Sequence, residues 1–415
     1  MDGIKLMALL LLCGVLAFAL GLGDMGYQRG DMPRVYLNVD KIHTDEEPAS
    51  LTFMGNDTMR DVGALVRQRG NTNMTAEKMS FNIRFMRNAR LFGMDANDRW
   101  ILLGVPFDKS LIRTELSFGY ARAIGLEGIP QTMFCDVYLK GDYHGLYILS
   151  EPVTARGLGL DLGAGDFLLE RNMNRTAEGK TYLVTQEGLR FELTADASAQ
   201  LCADVLNRAE RAMVSGVMEE YEQYIDVDSF VNAYIAQEVV KNVDFSWFSD
   251  RYYVKDGKLF AGPLWDMDLS MGNASNLVEN EVYDAYNNLR GAGDGSGDSA
   301  RGLWAQRDWF AYLCADDAFM QRVSARWQEV YPITENLIRD NELGMNRIDE
   351  LITRCRSSID KNFARWDVST RYSAWELREC FDTYDAAAEH LRSWLIRRID
   401  WLSAAFAGYD REMEE

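Results

Sequence analysis

Two acidic segments stand at either end of a predicted β-hairpin in the second half of the chain. Asp244 precedes the hairpin, Asp256-Gly257 marks its tight turn, and Asp266 follows it. Because a hairpin returns the chain to its starting end, we expect Asp244 and Asp266 to lie close together. Such a pair suits phosphoryl transfer, in which one carboxylate orients or deprotonates the attacking hydroxyl and another holds Mg²⁺.

Asp268 is a further candidate metal ligand, because it lies two residues beyond Asp266 and would share its face of an extended backbone. A purely structural carboxylate is the alternative. The chain has only three His, at positions 43, 144 and 390, so a His-based metal site or a Ser-His-Asp triad has little material. Carboxylates must therefore carry any chemistry.

The elements that position these residues predict an α+β fold. Short alternating segments between Arg34 and Phe85 indicate strands, and residues 110–124 have helical spacing. Residues 134–149 predict a second hairpin, which ends at Glu151. A helix with Asp228 as its N-cap is expected to lead to Asp244. Residues 278–300 are predicted to form an exposed loop, and the remainder to be helical.

Composition narrows the choice of partners. Acidic residues outnumber basic ones by 64 to 44, and the formal net charge is −20. Such a surface repels phosphate backbones, which argues against nucleic acid and favours either a basic protein substrate or a merely solvated surface. Beyond Cys13, the five cysteines at positions 135, 202, 314, 355 and 380 form no close pair, so neither a zinc site nor a disulfide framework can be identified.

The first 24 residues predict export. Lys5 precedes an apolar run from Leu6 to Leu22 of about 17 residues, which suits the core of a signal peptide and reaches the lower limit for a membrane span. A cleaved signal peptide and a retained membrane anchor are both consistent with this segment. We therefore expect a secreted protein or one anchored at the outer face of the cytoplasmic membrane.

Several ordered motifs together resemble the CotH kinase family, the spore-coat protein H-like secreted kinases, from about Asn38 to Trp401. These motifs are Arg67-Gln68-Arg69-Gly70-Asn71, Lys78-Met79-Ser80-Phe81, Lys109-Ser110-Leu111-Ile112-Arg113, Gly145-Leu146-Tyr147-Ile148-Leu149-Ser150-Glu151, Asn242-Val243-Asp244, Gly262-Pro263-Leu264-Trp265-Asp266-Met267-Asp268-Leu269 and Trp394-Leu395-Ile396-Arg397-Arg398. The resemblance implies a divergent protein-kinase-like two-lobed fold, with a β-rich N-lobe at 25–151 and a mainly helical C-lobe at 152–410. It also implies ATP, Mg²⁺ or Mn²⁺, and Ser or Thr of a protein as the acceptor.

Carried over residue by residue, the resemblance makes Asp244 the catalytic residue and Asp266 a metal ligand. Capping or turn stabilisation is the structural alternative for both. Lys78 matches the family's lysine before a small residue and an aromatic one, which implies contact with the ATP phosphates. A surface lysine beside a strand is the other interpretation.

Five further residues receive roles by the same resemblance. Arg69, Gly70 and Asn71 would form a tight loop near the nucleotide, where glycine permits close backbone approach. Glu115 could pair with Lys78, as a helix glutamate does in protein kinases, or make ordinary packing contacts. Glu151 would begin the hinge, where its neighbouring backbone meets adenine, although its carboxylate could simply cap the turn.

One position departs from the protein-kinase pattern, in which an Asn five residues after the catalytic Asp binds a second metal ion. That position is Ser249, a poor ligand, whereas the next residue, Asp250, carries a carboxylate suited to a hard cation. We therefore predict Asp250 as a metal ligand through a loop one residue longer. A surface pairing of Asp250 with Arg251 or another surface cation is the alternative.

Two other functions compete with a kinase. A pseudokinase or surface-binding module would keep the fold without turnover, but Asp244, Asp266 and Lys78 are all present. A glycoside hydrolase would also use paired carboxylates in an exported protein. The lysine and the Gly-Asn loop upstream fit phosphate better than sugar.

Overall fold

The computed structural model describes residues 32–407, apart from residues 57, 71–73, 75, 174–175, 178, 194–197, 275–299, 374–375 and 377–379. The predicted signal peptide or anchor and almost all of the predicted loop at 278–300 lie outside the described residues. Among the described helices, none combines the length and apolar character that a membrane crossing requires.

The first seven strands form a closed barrel with the order β1-β2-β3-β4-β5-β7-β6. These strands are β1 (Arg34–Val39), β2 (Glu47–Met54), β3 (Met59–Arg69), β4 (Ser80–Ala89), β5 (Asn97–Leu103), β6 (Thr132–Leu139) and β7 (Asp142–Ser150). Neighbouring strands pair antiparallel, except that β1 and β6 pair in parallel and close the barrel. Closure leaves neither edge of this sheet unpaired.

The barrel interior follows from the alternation of side chains along its strands. In β1, Val35, Leu37 and Val39 are buried, while the residues between them are more exposed. Inward-facing residues such as Phe53, Phe81 and others from the seven strands form one hydrophobic cluster. A separate and larger cluster combines outward-facing barrel residues, such as Ile101 and Ile148, with described residues that follow the barrel.

A second sheet follows the barrel, with the strand order β12-β11-β8-β10-β9. Its strands are β8 (Phe167–Asn172), β9 (Thr181–Val184), β10 (Arg190–Leu193), β11 (Phe248–Lys255) and β12 (Lys258–Ala261). The predicted Asp256-Gly257 turn joins β11 to β12, and both residues have positive φ. The hairpin between the two acidic segments is therefore confirmed.

The described helices contribute many of the residues of the larger core. They are α1 (Arg113–Ala123), α2 (Ala199–Ser215), α3 (Met218–Tyr221), α4 (Val227–Val240), α5 (Trp309–Leu313), α6 (Asp317–Glu335), α7 (Arg347–Arg365) and α8 (Tyr384–Phe406). Helix α4 begins with Asp226 as N-cap, since its side chain accepts from the Ser229 N–H at 2.8 Å. The predicted N-cap, Asp228, instead lies in the first turn and pairs with Arg322.

The α+β class, with strands first and mainly helices afterwards, is confirmed. The strand-rich region is a closed seven-strand barrel rather than a kinase-like sheet. The barrel closes because Arg34–Leu37 pairs with Asp136–Leu139. No local sequence pattern predicts this long-range pairing. The proposed division at residues 151 and 152 stays a prediction.

Candidate active site

The two acidic segments meet beside the β11–β12 hairpin. Ser249, at the start of β11, donates its hydroxyl to Asp266 Oδ2 at 3.3 Å. The backbone of Met271 donates to Val240, the last residue of α4, at 2.7 Å. These contacts bring the segment after the hairpin alongside the one before it, as the sequence predicts. Asp244 is half-buried and Asp266 is exposed, so both acidic segments reach solvent.

Asp268 has several other carboxylates as its electrostatic neighbours. Its pKa is raised well above the ordinary value, first by burial and then by the charges of Asp266, Asp108 and Asp244. These side chains therefore concentrate negative charge in one small region. A cation in that region would relieve the repulsion.

The donor set fits a divalent cation that is shared with a ligand. Among the described residues, no three His, Cys, Asp or Glu side chains are close enough to hold a metal ion by themselves. Mg²⁺ is commonly bound by only one or two carboxylates, with water and substrate phosphates completing its octahedron. Asp266 and Asp268 suit that arrangement, since their charges interact and Asp266 is exposed.

Asp250 lies deeper than the other candidate metal ligands. It is buried, and its Oδ2 accepts a hydrogen bond from the Ser246 N–H. Burial raises its pKa well above the ordinary value. The alternative pairing with Arg251 is not formed, because Arg251 bonds Glu170 at 2.9 Å. The hydroxyl that contacts Asp266 belongs to Ser249, one residue earlier.

Lys78 is buried, in contrast to the surface position that its flanking strand also allowed. Its Nζ has no hydrogen-bond partner among the described residues and lies 5.3 Å from the centre of the Tyr147 ring. Burial, followed by the charge of Lys109, lowers its pKa to about 7. Gly145 gives it space, since a Cβ there would come within 3.0 Å of Lys78 Cε. The alternative of a surface lysine is wrong.

Glu115 does not pair with Lys78. It lies 3.6 Å from Arg122 in the same helix and accepts from the Thr132 hydroxyl, which brings α1 to the start of β6. The predicted kinase-like ion pair is therefore wrong in this structure. The ordinary packing contacts that the sequence also allowed are the ones observed.

The Arg69-Gly70 segment reaches the second acidic segment. The Arg69 guanidinium lies 5.4 Å from the centre of the Trp265 ring, next to Asp266. Burial lowers its pKa, and the charge of Asp266 opposes this shift. Gly70 has φ 126°, a conformation that favours glycine. Asn71 lies outside the described residues.

Glu151 caps the turn at the end of β7. Its Oε2 accepts from the Gln131 N–H at 3.0 Å, and its own N–H donates to the Gln131 carbonyl at 3.1 Å. Burial raises its pKa to about 7. Its carboxylate is thus engaged in the turn, and adenine contact by the neighbouring backbone stays a prediction.

The sequence interpretation assigned no role to a charged network around Asp108. That carboxylate accepts from the backbone and side chain of Ser110 and from Arg113, whose Nη1 lies 2.6 Å away. Arg113 Nε also donates to the Ser270 carbonyl at 3.1 Å. The network joins residues 108–113 to the segment that carries Asp266 and Asp268. Its signal was the run Lys109–Arg113, which the family resemblance included without a role.

Comparison with family models now supports what these contacts suggest. The model described as CotH kinase protein matches residues 66–402. This chain belongs to the CotH kinase family. No curated protein matches the chain.

Proposed function

We propose that this protein is an atypical, ATP-dependent protein kinase that transfers the γ-phosphoryl group to Ser or Thr of exported, cell-surface or spore-coat proteins. Family membership supports a kinase-like function. The observation that carries the proposal is the convergence of Asp244 and Asp266 on Asp268: the charges of both act on its carboxyl group, although the hairpin separates Asp244 from the other two in sequence. The finer architecture that we propose is a divergent two-lobed kinase fold.

Each residue takes a role that suits its surroundings. The substrate hydroxyl oxygen bonds to the γ-phosphorus, the bond from that phosphorus to the β–γ bridging oxygen breaks, and ADP leaves. Asp244 orients the hydroxyl and accepts its proton. Asp266 and Asp268 would hold Mg²⁺ or Mn²⁺, which supplies neutralisation of phosphate charge. Lys78 would bind the phosphates with its ammonium group, whose nitrogen has no hydrogen-bond partner among the described residues.

The loop of Arg69, Gly70 and Asn71 would cover the nucleotide. Glu151 would mark its adenine end, through the neighbouring backbone. Asp250 would support the acidic segment from beneath, or bind a second metal ion if its free oxygen turns toward the site. We propose a basic, Ser/Thr-rich protein as substrate because the net charge of −20 attracts it. Export and the N-terminal signal or anchor belong to the same proposal.

The test is transfer of label from γ-labelled ATP to a basic protein or to the enzyme itself. Asp266→Asn should abolish metal-dependent ATP binding, because it removes a ligand charge. Asp244→Asn should keep binding and lose transfer, because only the hydroxyl step needs it. Glu329→Gln, which removes an exposed carboxylate on α6, is the control.

Three outcomes separate the competing functions. Unchanged phosphorylation by Asp266→Asn or Asp244→Asn would overturn the assignment. ATP binding by the wild type without any transfer would indicate a pseudokinase. Thermal stabilisation by oligosaccharides, and none by ATP with Mg²⁺, would favour a glycoside hydrolase instead.

A further inference from the structure

Lys109 lies beside Lys78 and is held by a distant carboxylate. Its Nζ donates to the Pro106 carbonyl at 2.9 Å and lies 3.5 Å from Glu376 Oε2. The Tyr372 ring is 4.8 Å away. Both members of the ion pair are buried. The segment between α7 and α8 thus contacts the region just before α1.

Glu376 is itself fixed in place. Its Oε1 accepts from the backbone N–H groups of Tyr372 and Ser373 at 2.6 and 2.7 Å, which leaves Oε2 facing Lys109. Its backbone forms an isolated antiparallel bridge with Ala274, shortly after the acidic segment. A carboxylate anchored in this way can orient a lysine precisely.

The carboxylates next to Lys78 and Lys109 do not provide a direct partner for both ammonium groups. Burial lowers the pKa of each, and each is also influenced by Asp108. The Asp108 carboxylate, however, already accepts hydrogen bonds from Ser110 and Arg113. Glu376 is the direct partner of Lys109, and Lys78 Nζ has no hydrogen-bond partner among the described residues. A buried ammonium group without partners is costly, and an anion would remove that cost.

This lysine pair borders the carboxylates assigned to the metal. Asn273 donates through Nδ2 to the Phe107 carbonyl at 2.9 Å and to the Asp268 carbonyl at 2.6 Å. The segment carrying Lys109 is thereby joined to the segment carrying Asp268. Asp108 also raises the pKa of Asp268, so cationic and anionic groups lie within electrostatic reach. Phosphates between them would meet cations on one side and metal on the other.

We propose that Lys109 is a second phosphate-binding residue beside Lys78, and that Glu376 is a positioning residue that holds Lys109 toward the nucleotide. This inference rests on the proposed function, because it takes the ligand to be a nucleoside triphosphate. It adds a phosphate contact from the segment before α1, and an orienting carboxylate from the chain between α7 and α8. Neither role follows from Lys78 alone.

The experiment compares ATP and AMP binding, each with Mg²⁺, by calorimetry on the full chain. Lys109→Ala should weaken ATP binding on the order of tenfold or more, since a charge-assisted contact to phosphate is lost. AMP affinity should stay unchanged, because the β- and γ-phosphates are absent. Lys109→Arg should retain most of the ATP affinity, and Lys258→Ala, an exposed lysine in the β11–β12 hairpin, is the matched control.

Glu376→Gln should weaken ATP binding about threefold to tenfold, with AMP again unchanged, and should raise KM for ATP more than it lowers kcat. Thermal unfolding of every variant shows whether it folds.

Unchanged ATP affinity in Lys109→Ala would overturn the inference and leave the proposed function standing. Equal losses of ATP and AMP would also overturn it, since they would mean that Lys109 only supports the fold. Failure of the wild type to bind ATP would overturn both.

Discussion

Two buried charged sites in this protein are built in opposite ways. In the helical region, Glu238 and Arg398 form a fully buried ion pair, with Arg398 Nη2 2.6 Å from Glu238 Oε2. The remaining groups are also satisfied: Arg398 Nε donates to the Glu238 carbonyl, and the Glu238 carboxylate accepts from the Trp304 and Ala305 N–H groups. Lys78 is also buried, yet its Nζ has no hydrogen-bond partner among the described residues.

The difference separates a structural charge from a functional one. A buried ion pair is tolerated when every donor and acceptor is satisfied, and it then fixes how elements pack. Here it joins α8 to α4, which leads directly to Asp244. A buried ammonium group left unsatisfied lowers stability, so its presence indicates a ligand that completes it. Four substitutions test this comparison.

The largest effect on stability should come from removing one partner of the Glu238–Arg398 ion pair. Arg398→Met leaves the Glu238 carboxylate buried and unpaired, and should lower the free energy of unfolding by about 3–5 kcal/mol. Urea denaturation measures this loss. Arg397→Met, at the exposed neighbouring position, is the control. A double variant, Glu238→Gln with Arg398→Met, should recover part of the loss; no recovery would mean that packing, rather than charge, dominates.

Replacing Lys78 should raise the stability of the protein rather than lower it. Lys78→Met should stabilise the nucleotide-free protein by about 2–3 kcal/mol below pH 7, because it removes an unsatisfied buried charge. The folded-state pKa is about 7, against an ordinary value of 10.5. The penalty in the wild type is therefore complete below pH 7 and disappears as the pH rises toward 10.5.

Thermal unfolding at pH 6.5 and pH 9.5 checks this, and the difference between Lys78→Met and the wild type should shrink at the higher pH. A methionine variant less stable than the wild type at both values would show that Lys78 is satisfied in the folded protein.

Glu151 extends the comparison to a buried acid for which the effect of burial on the pKa outweighs that of its hydrogen bonds. Its pKa is raised from 4.5 to about 7 by burial. The cost of ionising this carboxyl group in the folded state therefore begins above pH 4.5 and is complete above pH 7. Glu151→Gln keeps an acceptor for the Gln131 N–H and should stabilise the protein by about 1–2 kcal/mol at pH 8. Little change is expected at pH 4, where the acid is protonated in both states. Melting curves that shift equally at both pH values would contradict this explanation.

The smallest effect concerns Ser249. Ser249→Ala removes the hydroxyl that donates to Asp266, and should reduce stability by about 0.5–1 kcal/mol. Metal-dependent ATP binding should weaken a few-fold, because Asp266 loses its orienting contact. Ser403→Ala, which removes a hydroxyl bonded within α8, should leave binding alone. If Ser249→Ala and Ser403→Ala bind ATP with equal affinity, Ser249 has no role in metal-dependent ATP binding.

The sequence predicted features that depend on neighbouring residues, namely strands and turns. The sequence pattern predicted five of the seven barrel strands, without β2 and β5, and Asp256-Gly257 predicted the hairpin that brings the acidic segments together. The contact between Glu376 and Lys109 could not be predicted, because the two residues are remote in sequence and Glu376 lies in no recognisable motif. Glu115 was misassigned because Arg122 and Thr132 supply nearer partners, which only the packing of α1 against β6 reveals.

Barrel closure has a consequence for the order in which the chain can fold. During synthesis β1 appears about a hundred residues before β6, so its outer edge stays unpaired until β6 and β7 have been made. A nascent chain that ends near Gly125 would expose backbone donors and acceptors along β1 and β5, where other strands can add. The parallel β1–β6 pairing is thus the last strand pairing of the barrel to form. Until it forms, the chain is most prone to aggregation.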